Sequence, residues 1–357
     1  MSRRAHMMAA GALGAAVLSS MATTRGEEGP AAGGKKTLGS IERLDPRLDA
    51  IIAPGAAMEV IGEGFTWTEG PVWVPQDGGY LLFSDIPPNR VVKWKAGQGT
   101  RVYLEHSGYD GPIPRPNFIP PDEPGSNALT LDAQGRLVLC QHGNRQVARM
   151  DAPLARPEPR FVPIASRYEG KRFNSPNDLV YHTDGSLYFT DPPYGLPRKM
   201  EDPSKELDFQ GVYRVDKDGK VGLLTRELSR PNGIAFSPDH RTLYVANSDP
   251  QRAIWMAWDV APDGSLARGR VFFDATKWVG AERKGLPDGM KVDAQGHLFA
   301  TGPGGVHVFD KDAHLLGTLA TGQPTSNCAF GEDGRTLFIT ANTYVLRLRL
   351  KVEGAGP

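Results

Sequence analysis

The chain has 357 residues, 41 Lys and Arg against 41 Asp and Glu, and two cysteines. Balanced charge gives no electrostatic case for nucleic acid or an anionic membrane surface as partner, and two cysteines exclude a disulfide framework and a cysteine-rich zinc site. With 39% hydrophobic and 23% charged residues the composition suits a globular core, and 42 glycines with 30 prolines predict many turns and few long helices.

Residues 1–22, MSRRAHMMAAGALGAAVLSSMA, place Arg3 and Arg4 before an apolar Ala/Gly-rich stretch that is too short to span a bilayer. Small residues at Ser20 and Ala22 complete the form of an export signal cleaved after Ala22. The paired arginines fit the twin-arginine route, although His6 stands where a bulky apolar residue is usual. The expected destination is the periplasm, with no membrane attachment once the signal is removed. Residues 23–40 read as a flexible lead-in, and 41–352 as one domain, monomeric or weakly dimeric.

A repeat organises that domain. Six segments align: Thr68-Glu-Gly-Pro-Val-Trp73, Ser126-Asn-Ala-Leu-Thr-Leu131, Pro176-Asn-Asp-Leu-Val-Tyr181, Pro231-Asn-Gly-Ile-Ala-Phe236, Pro287-Asp-Gly-Met-Lys-Val292 and Ser326-Asn-Cys-Ala-Phe330. Their anchors, Glu69, Asn127, Asn177, Asn232, Asp288 and Asn327, lie 39–58 residues apart. Each segment runs into a polar Asp/Gly turn and a second apolar strand, as in HTDGSLYFTD (182–191), and most continue into a further alternating run such as Val212-Tyr-Arg-Val215. Short strands, frequent turns and no helical periodicity point to an all-β fold. A repeat of about four strands is the blade of a β-propeller, so six repeats predict a six-bladed propeller with a central site. The segment Ile51–Val60 is expected to add a strand to the last blade and close the ring.

In such a blade the anchor stands where the chain enters the innermost strand, and the far end of the antiparallel second strand returns to the same mouth. The anchors should converge there, with Asp85, His142, Asp191, Asn247 and Asn342 close by. Any one Asn or Asp in this position equally serves as a turn cap. Together, Glu69 and Asp288 with Asn177 and Asn232 form a hard-oxygen set of charge −2, suited to Ca²⁺ and less so to Mg²⁺ or Mn²⁺. Insertions at 106–125, 196–210 and 276–286 are expected on this face, the first long enough to cover the mouth. The two prolines of Asp191-Pro-Pro-Tyr-Gly195 would hold Tyr194 near the pocket. Cys140 and Cys328 fall in different blades and read as buried thiols.

The blocks TEGPVW, RFNSPNDL, RPNGIAFSPD and LPDGMKVDAQG, in this order, resemble the gluconolactonase family that includes senescence marker protein 30 (regucalcin), and EPGSNALTLDAQGRLVLCQHG with DGSLYFTDPPYG resemble its exported bacterial branch. The resemblance spans about residues 60–345. It implies a six-bladed propeller holding one divalent cation, most often Ca²⁺ with Mg²⁺, Mn²⁺ or Zn²⁺ as alternatives, and opening sugar lactones to aldonic acids. Carried over by motif, it makes Glu69, Asn232 and Asp288 metal ligands, with Asp288 also the acid/base. Asn177 becomes a ligand or substrate contact. Arg172 is the candidate substrate arginine, although Asn174 and Ser175 intervene where some members run directly into the motif. Asp191 is the nearest match to a substrate carboxylate of the third blade, and Asn127 and Tyr194 complete the expected substrate pocket. His142, whose ordinary pKa of about 6.5 suits proton transfer, is the alternative base. The rival readings are a hydrolase of other lactones, aryl esters or organophosphates on the same site, and a non-catalytic propeller braced by the metal.

Overall fold

The computed structural model describes residues 35–356. The expected export signal at 1–22, and the lead-in as far as residue 34, lie outside the described residues.

Among the described residues, six sheets of four or five strands form the blades, and a separate two-stranded hairpin, Arg167–Tyr168 with Lys171–Arg172, stands outside them. From the inside out, blade 1 contains Thr68–Val74, Tyr80–Asp85, Arg90–Lys95 and Gly99–Glu105. Blade 2 contains Ser126–Leu131, Leu137–Gln141, Gln146–Met150 and Phe161–Ala165. Blade 3 contains Leu179–Tyr181, Leu187–Asp191, Gly211–Val215 and Val221–Thr225. Blade 4 contains Pro231–Phe236, Thr242–Asp249, Arg252–Val260 and Leu266–Asp274. Blade 5 contains Met290–Val292, Leu298–Gly302, Gly305–Phe309 and Leu315–Ala320, and blade 6 Asn327–Gly331, Thr336–Ala341 and Tyr344–Arg349. Neighbouring strands are antiparallel, and the six inner strands touch one another in a closed cycle. This is the six-bladed propeller that the repeat predicts.

Two segments from before the first repeat close and extend the ring. Glu59–Glu63 pairs with Tyr344–Arg349 as the outer strand of blade 6. The strand that closes the ring thus starts near the end of the expected Ile51–Val60 segment. Its earlier part includes the end of a one-turn helix, Leu48–Ile51, whose Leu48 and Ile51 are buried against blades 5 and 6. The second segment was not expected. Ser40–Arg43 adds a fifth strand to blade 5 against Leu315–Ala320, and Thr37 bridges to Glu59, so the end of the lead-in is paired rather than free.

The core lies between the blades, not at the axis. Among the described residues there are six hydrophobic clusters, one at each blade interface. Strand Tyr80–Asp85 shows why the second strands read as continuous apolar runs. Tyr80 and Leu82 face the cluster shared with blade 2, while Leu81 and Phe83 face the one shared with blade 6. Period-2 alternation then carries two apolar faces, and every residue of the strand is buried.

Hydroxyl latches register the blades around the channel. Ser84 Oγ donates to the carbonyl of Asn127 at 2.7 Å, Thr190 Oγ1 to that of Asn232 at 2.7 Å, and Thr301 Oγ1 to that of Ser326 at 3.0 Å. Each ties the second strand of one blade to the anchor region of the next.

Candidate active site

The anchors meet at one end of the channel. Glu69, Asn127, Asn177, Asn232 and Asp288 line a single cleft of about 440 Å³. The sixth anchor, Asn327, does not line it; its Oδ1 accepts the backbone N–H of Cys328 at 2.8 Å. Trp67, Pro250, Val279, Leu286 and Pro324 form apolar wall above this polar floor, and Tyr194 and Glu123 enter from the side.

The floor is a set of buried oxygens. Glu69 is 2% exposed, and its Oε2 accepts the backbone N–H of Gly70 at 2.9 Å. The Asn232 amide is held by Nδ2 donating to Ser248 Oγ at 2.9 Å, and Ser248 Oγ donates on to the carbonyl of Pro287. This relay fixes which end of the amide is committed, and leaves Asn232 Oδ1 buried with no hydrogen-bond partner. Asp288 Oδ1 is likewise buried and unpartnered. Burial, together with the Glu69, Asp178 and Glu123 charges, pushes the Asp288 carboxyl well up; burial also raises Glu69 and Asp178. Mutually destabilised carboxylates next to orphaned oxygens are the pattern a hard cation relieves. Two carboxylate oxygens and two amide carbonyls, from Glu69, Asp288, Asn232 and Asn177, fit such an ion. Among the described residues no three His, Cys, Asp or Glu side chains are grouped to hold a metal, so the fit rests on this mixed set.

Residues 67–343 match the model of the SMP-30/gluconolactonase/LRE-like region. The chain belongs to this family. A gluconolactonase of Zymomonas mobilis is 42% identical over 361 residues, covering 99% of both chains. The solved structure of a gluconolactonase from Xanthomonas campestris superposes with a TM-score of 0.73 at 33% identity, covering 90% of this chain and 98% of that one. A pentonolactonase of Haloferax volcanii is 26% identical, covering 76% of this chain and 80% of that protein.

Within this SMP-30/gluconolactonase chain, three expected site residues stand away from the cleft. His142 is fully buried, and its Nε2 meets Asn127 Nδ2 at 3.3 Å. Burial, with the Lys199 and Arg115 charges, draws its pKa down to about 3, which makes it a poor proton acceptor near neutrality. It therefore backs Asn127 rather than acting as the base. The repeat alignment is also off by one here. Gln141, not His142, faces Ser126, the register position that Asp85 takes opposite Thr68 and Asn247 opposite Pro231.

Asp191 is a clamp, not a substrate contact. Its carboxylate accepts the backbone N–H groups of Asn174 and Ser175, both at 2.8 Å, and burial lifts it to about 7. Asp85 does the same for Thr66 and Trp67 at 3.0 and 3.1 Å, and Asn247 Oδ1 for Arg230 at 2.8 Å. In blades 1, 3 and 4 the end of the second strand thus satisfies the turn that leads into its own anchor.

Arg172 is the third. Asn174 and Ser175 are turned inward by Asp191, so Arg172 ends a short hairpin further out. There it lines a separate cavity with Arg115 and Arg145, its Nη2 reaching the carbonyl of Asn144 at 3.3 Å. Tyr194 does reach the cleft, and its hydroxyl donates to the carbonyl of Ser248 at 3.3 Å.

Sequence reasoning missed Trp67, Glu123, Asp178 and Ser248. Ser248 left a signal in hindsight: it directly follows Asn247 at the end of the second strand of blade 4. Asp178 follows the anchor of blade 3, where blades 1, 4 and 5 carry Gly70, Gly233 and Gly289. Cys140 and Cys328 are buried free thiols, as expected.

Proposed function

We propose that the chain is a hydrolase acting on carboxylic ester bonds that opens a sugar lactone to its aldonic acid, using one divalent cation, with Ca²⁺ the best match to the oxygen set. The observation that carries this reading is the pair of buried, unpartnered oxygens, Asn232 Oδ1 and Asp288 Oδ1, beside the Glu69 carboxylate on the cleft floor. The gluconolactonases of Zymomonas mobilis and Xanthomonas campestris, similar over nearly the whole chain, support the substrate class.

Glu69, Asn232 and Asp288 would hold the cation, with Asn177 as fourth ligand. When bound it supplies Lewis-acid polarisation of a carbonyl and offsets negative charge on the carbonyl oxygen. The chain's own residues do the rest. The apolar walls from Trp67, Val279, Leu286 and Pro324 exclude bulk water above the floor, which strengthens the electrostatics within. Asn127, steadied by His142, offers its amide to the substrate. Asp288 accepts the proton of the attacking water as the new C–O bond forms. It returns that proton to the ring oxygen as the ring C–O bond breaks.

The test is pH-stat hydrolysis of D-glucono-1,5-lactone by the purified chain. It is run after chelation and again with Ca²⁺, Mg²⁺, Mn²⁺ or Zn²⁺ restored, with spontaneous hydrolysis subtracted. Turnover should return with a cation and fall at least about 100-fold in Asp288→Asn. Full turnover by the chelated chain, or by Asp288→Asn, refutes the mechanism. Absence of turnover with every cation refutes the activity.

A further inference from the structure

The insertion at 106–125 forms part of the active cleft. Arg115 is the pin that holds it. Its Nη2 lies 2.6 Å from Asp122 Oδ1, with both side chains buried, and its Nη1 donates to the carbonyl of Gly195 at 2.6 Å. Ile119 N–H donates to the carbonyl of Pro197 at 2.6 Å. The insertion is thereby fastened to the blade 3 loop that carries Tyr194. The residue after Asp122 is Glu123, and its side chain lines the cleft, 17% exposed. Its Oε1 lies 3.3 Å from Lys199 Nζ, and Lys199 also donates to the carbonyl of Tyr194. Among the described residues no hydrogen bond engages Oε2. A carboxylate brought into a small-molecule cleft on a pinned support, with a cation behind one oxygen and the other oxygen uncommitted, is a hydrogen-bond acceptor for a ligand hydroxyl.

We infer that Glu123 is a specificity residue that accepts a hydroxyl of a polyhydroxylated lactone, and that the insertion exists in part to present it. This rests on the lactone-hydrolase reading above. It goes beyond that reading by assigning recognition of the sugar hydroxyls to a residue outside the repeat. Of the remaining floor groups, Glu69, Asn177, Asn232 and Asp288 are assigned to the cation, and Asn127, whose Nδ2 meets His142 Nε2 at 3.3 Å, has one amide oxygen to offer. A lactone with several hydroxyls needs more acceptors than that one amide, and on the side wall Glu123 is the carboxylate that can supply them.

The experiment compares two lactones of one ring size, D-glucono-1,5-lactone with its hydroxyls and δ-valerolactone without them, on the cation-loaded full chain. For Glu123→Ala, kcat/KM on the gluconolactone should fall about 10–100-fold, the loss of one charged hydrogen bond. The loss should sit mainly in KM, and it should exceed by about tenfold any change for δ-valerolactone, which registers only the removal of the Glu123 charge near Asp288. Glu123→Gln, which keeps an acceptor oxygen, should recover part of it. Calorimetric binding of D-gluconate should weaken in parallel, a readout independent of turnover. Lys199→Met separates recognition from stapling: it breaks the ion pair but leaves the carboxylate, so the gluconolactone preference persists. An equal fall on both lactones, or no fall on either, overturns the role of Glu123 while leaving the proposed reaction intact. A wild-type chain that opens neither lactone overturns the reading beneath it.

Discussion

Gly289 has no room for a side chain: a Cβ there would lie 1.9 Å from Asn327 Cγ. At Gly233 it would lie 2.1 Å from the backbone carbonyl of Asp288. The residue after an anchor is where one inner strand meets the next, so small size there is a condition of closing the channel. Blade 3 breaks this pattern with Asp178, whose Oδ1 accepts its neighbour Leu179 N–H at 2.8 Å and which adds a third acid under the floor. Ser248 illustrates how one hydroxyl sets the chemistry of a neighbour. Without it, Asn232 Nδ2 loses its acceptor and the amide is free to turn. Ser248→Ala should therefore weaken Ca²⁺ binding about 10–100-fold with little change in fold, measured by calorimetry and circular dichroism. Unchanged affinity would mean that packing alone orients Asn232.

At the scale of the element, the Asp-led turns are the clearest regularity. Asp310 Oδ1 accepts the N–H groups of Asp312 and His314 at 2.9 Å each, and Oδ2 receives the His314 ring at 2.9 Å and Arg47 Nη1 at 2.7 Å. One blade 5 turn is thereby tied to the segment leading into the Leu48–Ile51 helix. Partial burial opposes ionisation of Asp310. The His314 and Arg47 hydrogen bonds outweigh it and hold the carboxyl at about 2 against an ordinary 3.8. A carboxyl lowered by folding contributes stability that is fully present above pH about 4 and lost as pH falls through about 2. Asp310→Asn should cost about 1–2 kcal/mol at pH 7, and the difference from wild type should shrink below about pH 4 and vanish only below about pH 2. Thermal melts across that range check it; a constant gap would assign the loss to packing instead.

For the whole molecule, closure is the decisive contact. Blade 6 takes its outer strand from Glu59–Glu63, some 280 residues before the strand it pairs with. Arg347 Nε meets Glu59 Oε2 across that seam at 2.9 Å. Behind the strand, Leu48, Ile51, Ile52 and Met58 bury their side chains against blades 5 and 6, each worth about 1.5–3 kcal/mol. A chain beginning at Gly64 exposes the Tyr344–Arg349 edge and this cluster. Its melting temperature should fall on the order of 10 °C, with aggregation visible by light scattering. A truncated chain as stable as the full one would show that the ring closes without its seam.

The sequence by itself determined the propeller, its six blades and the ring of anchors. These follow from strand periodicity, turn residues and a repeat, all local properties that recur along the chain. It also marked Glu69, Asn177, Asn232 and Asp288 as a set, because equivalent positions in a closed ring must converge. Tertiary structure alone decided the rest. Asp191 and His142 read as site residues until their partners appeared: the Asn174 and Ser175 N–H groups for one, Asn127 and a fully buried pocket for the other. Arg172 was carried outward by two intervening residues whose inward turn only the fold reveals. Glu123 was invisible because an insertion has no repeat to align with, and its place in the cleft depends on the Arg115–Asp122 pin and on Lys199 from another blade. Local pattern fixes which strands form and where they turn; which side chain meets which across blades depends on contacts between residues far apart in the chain.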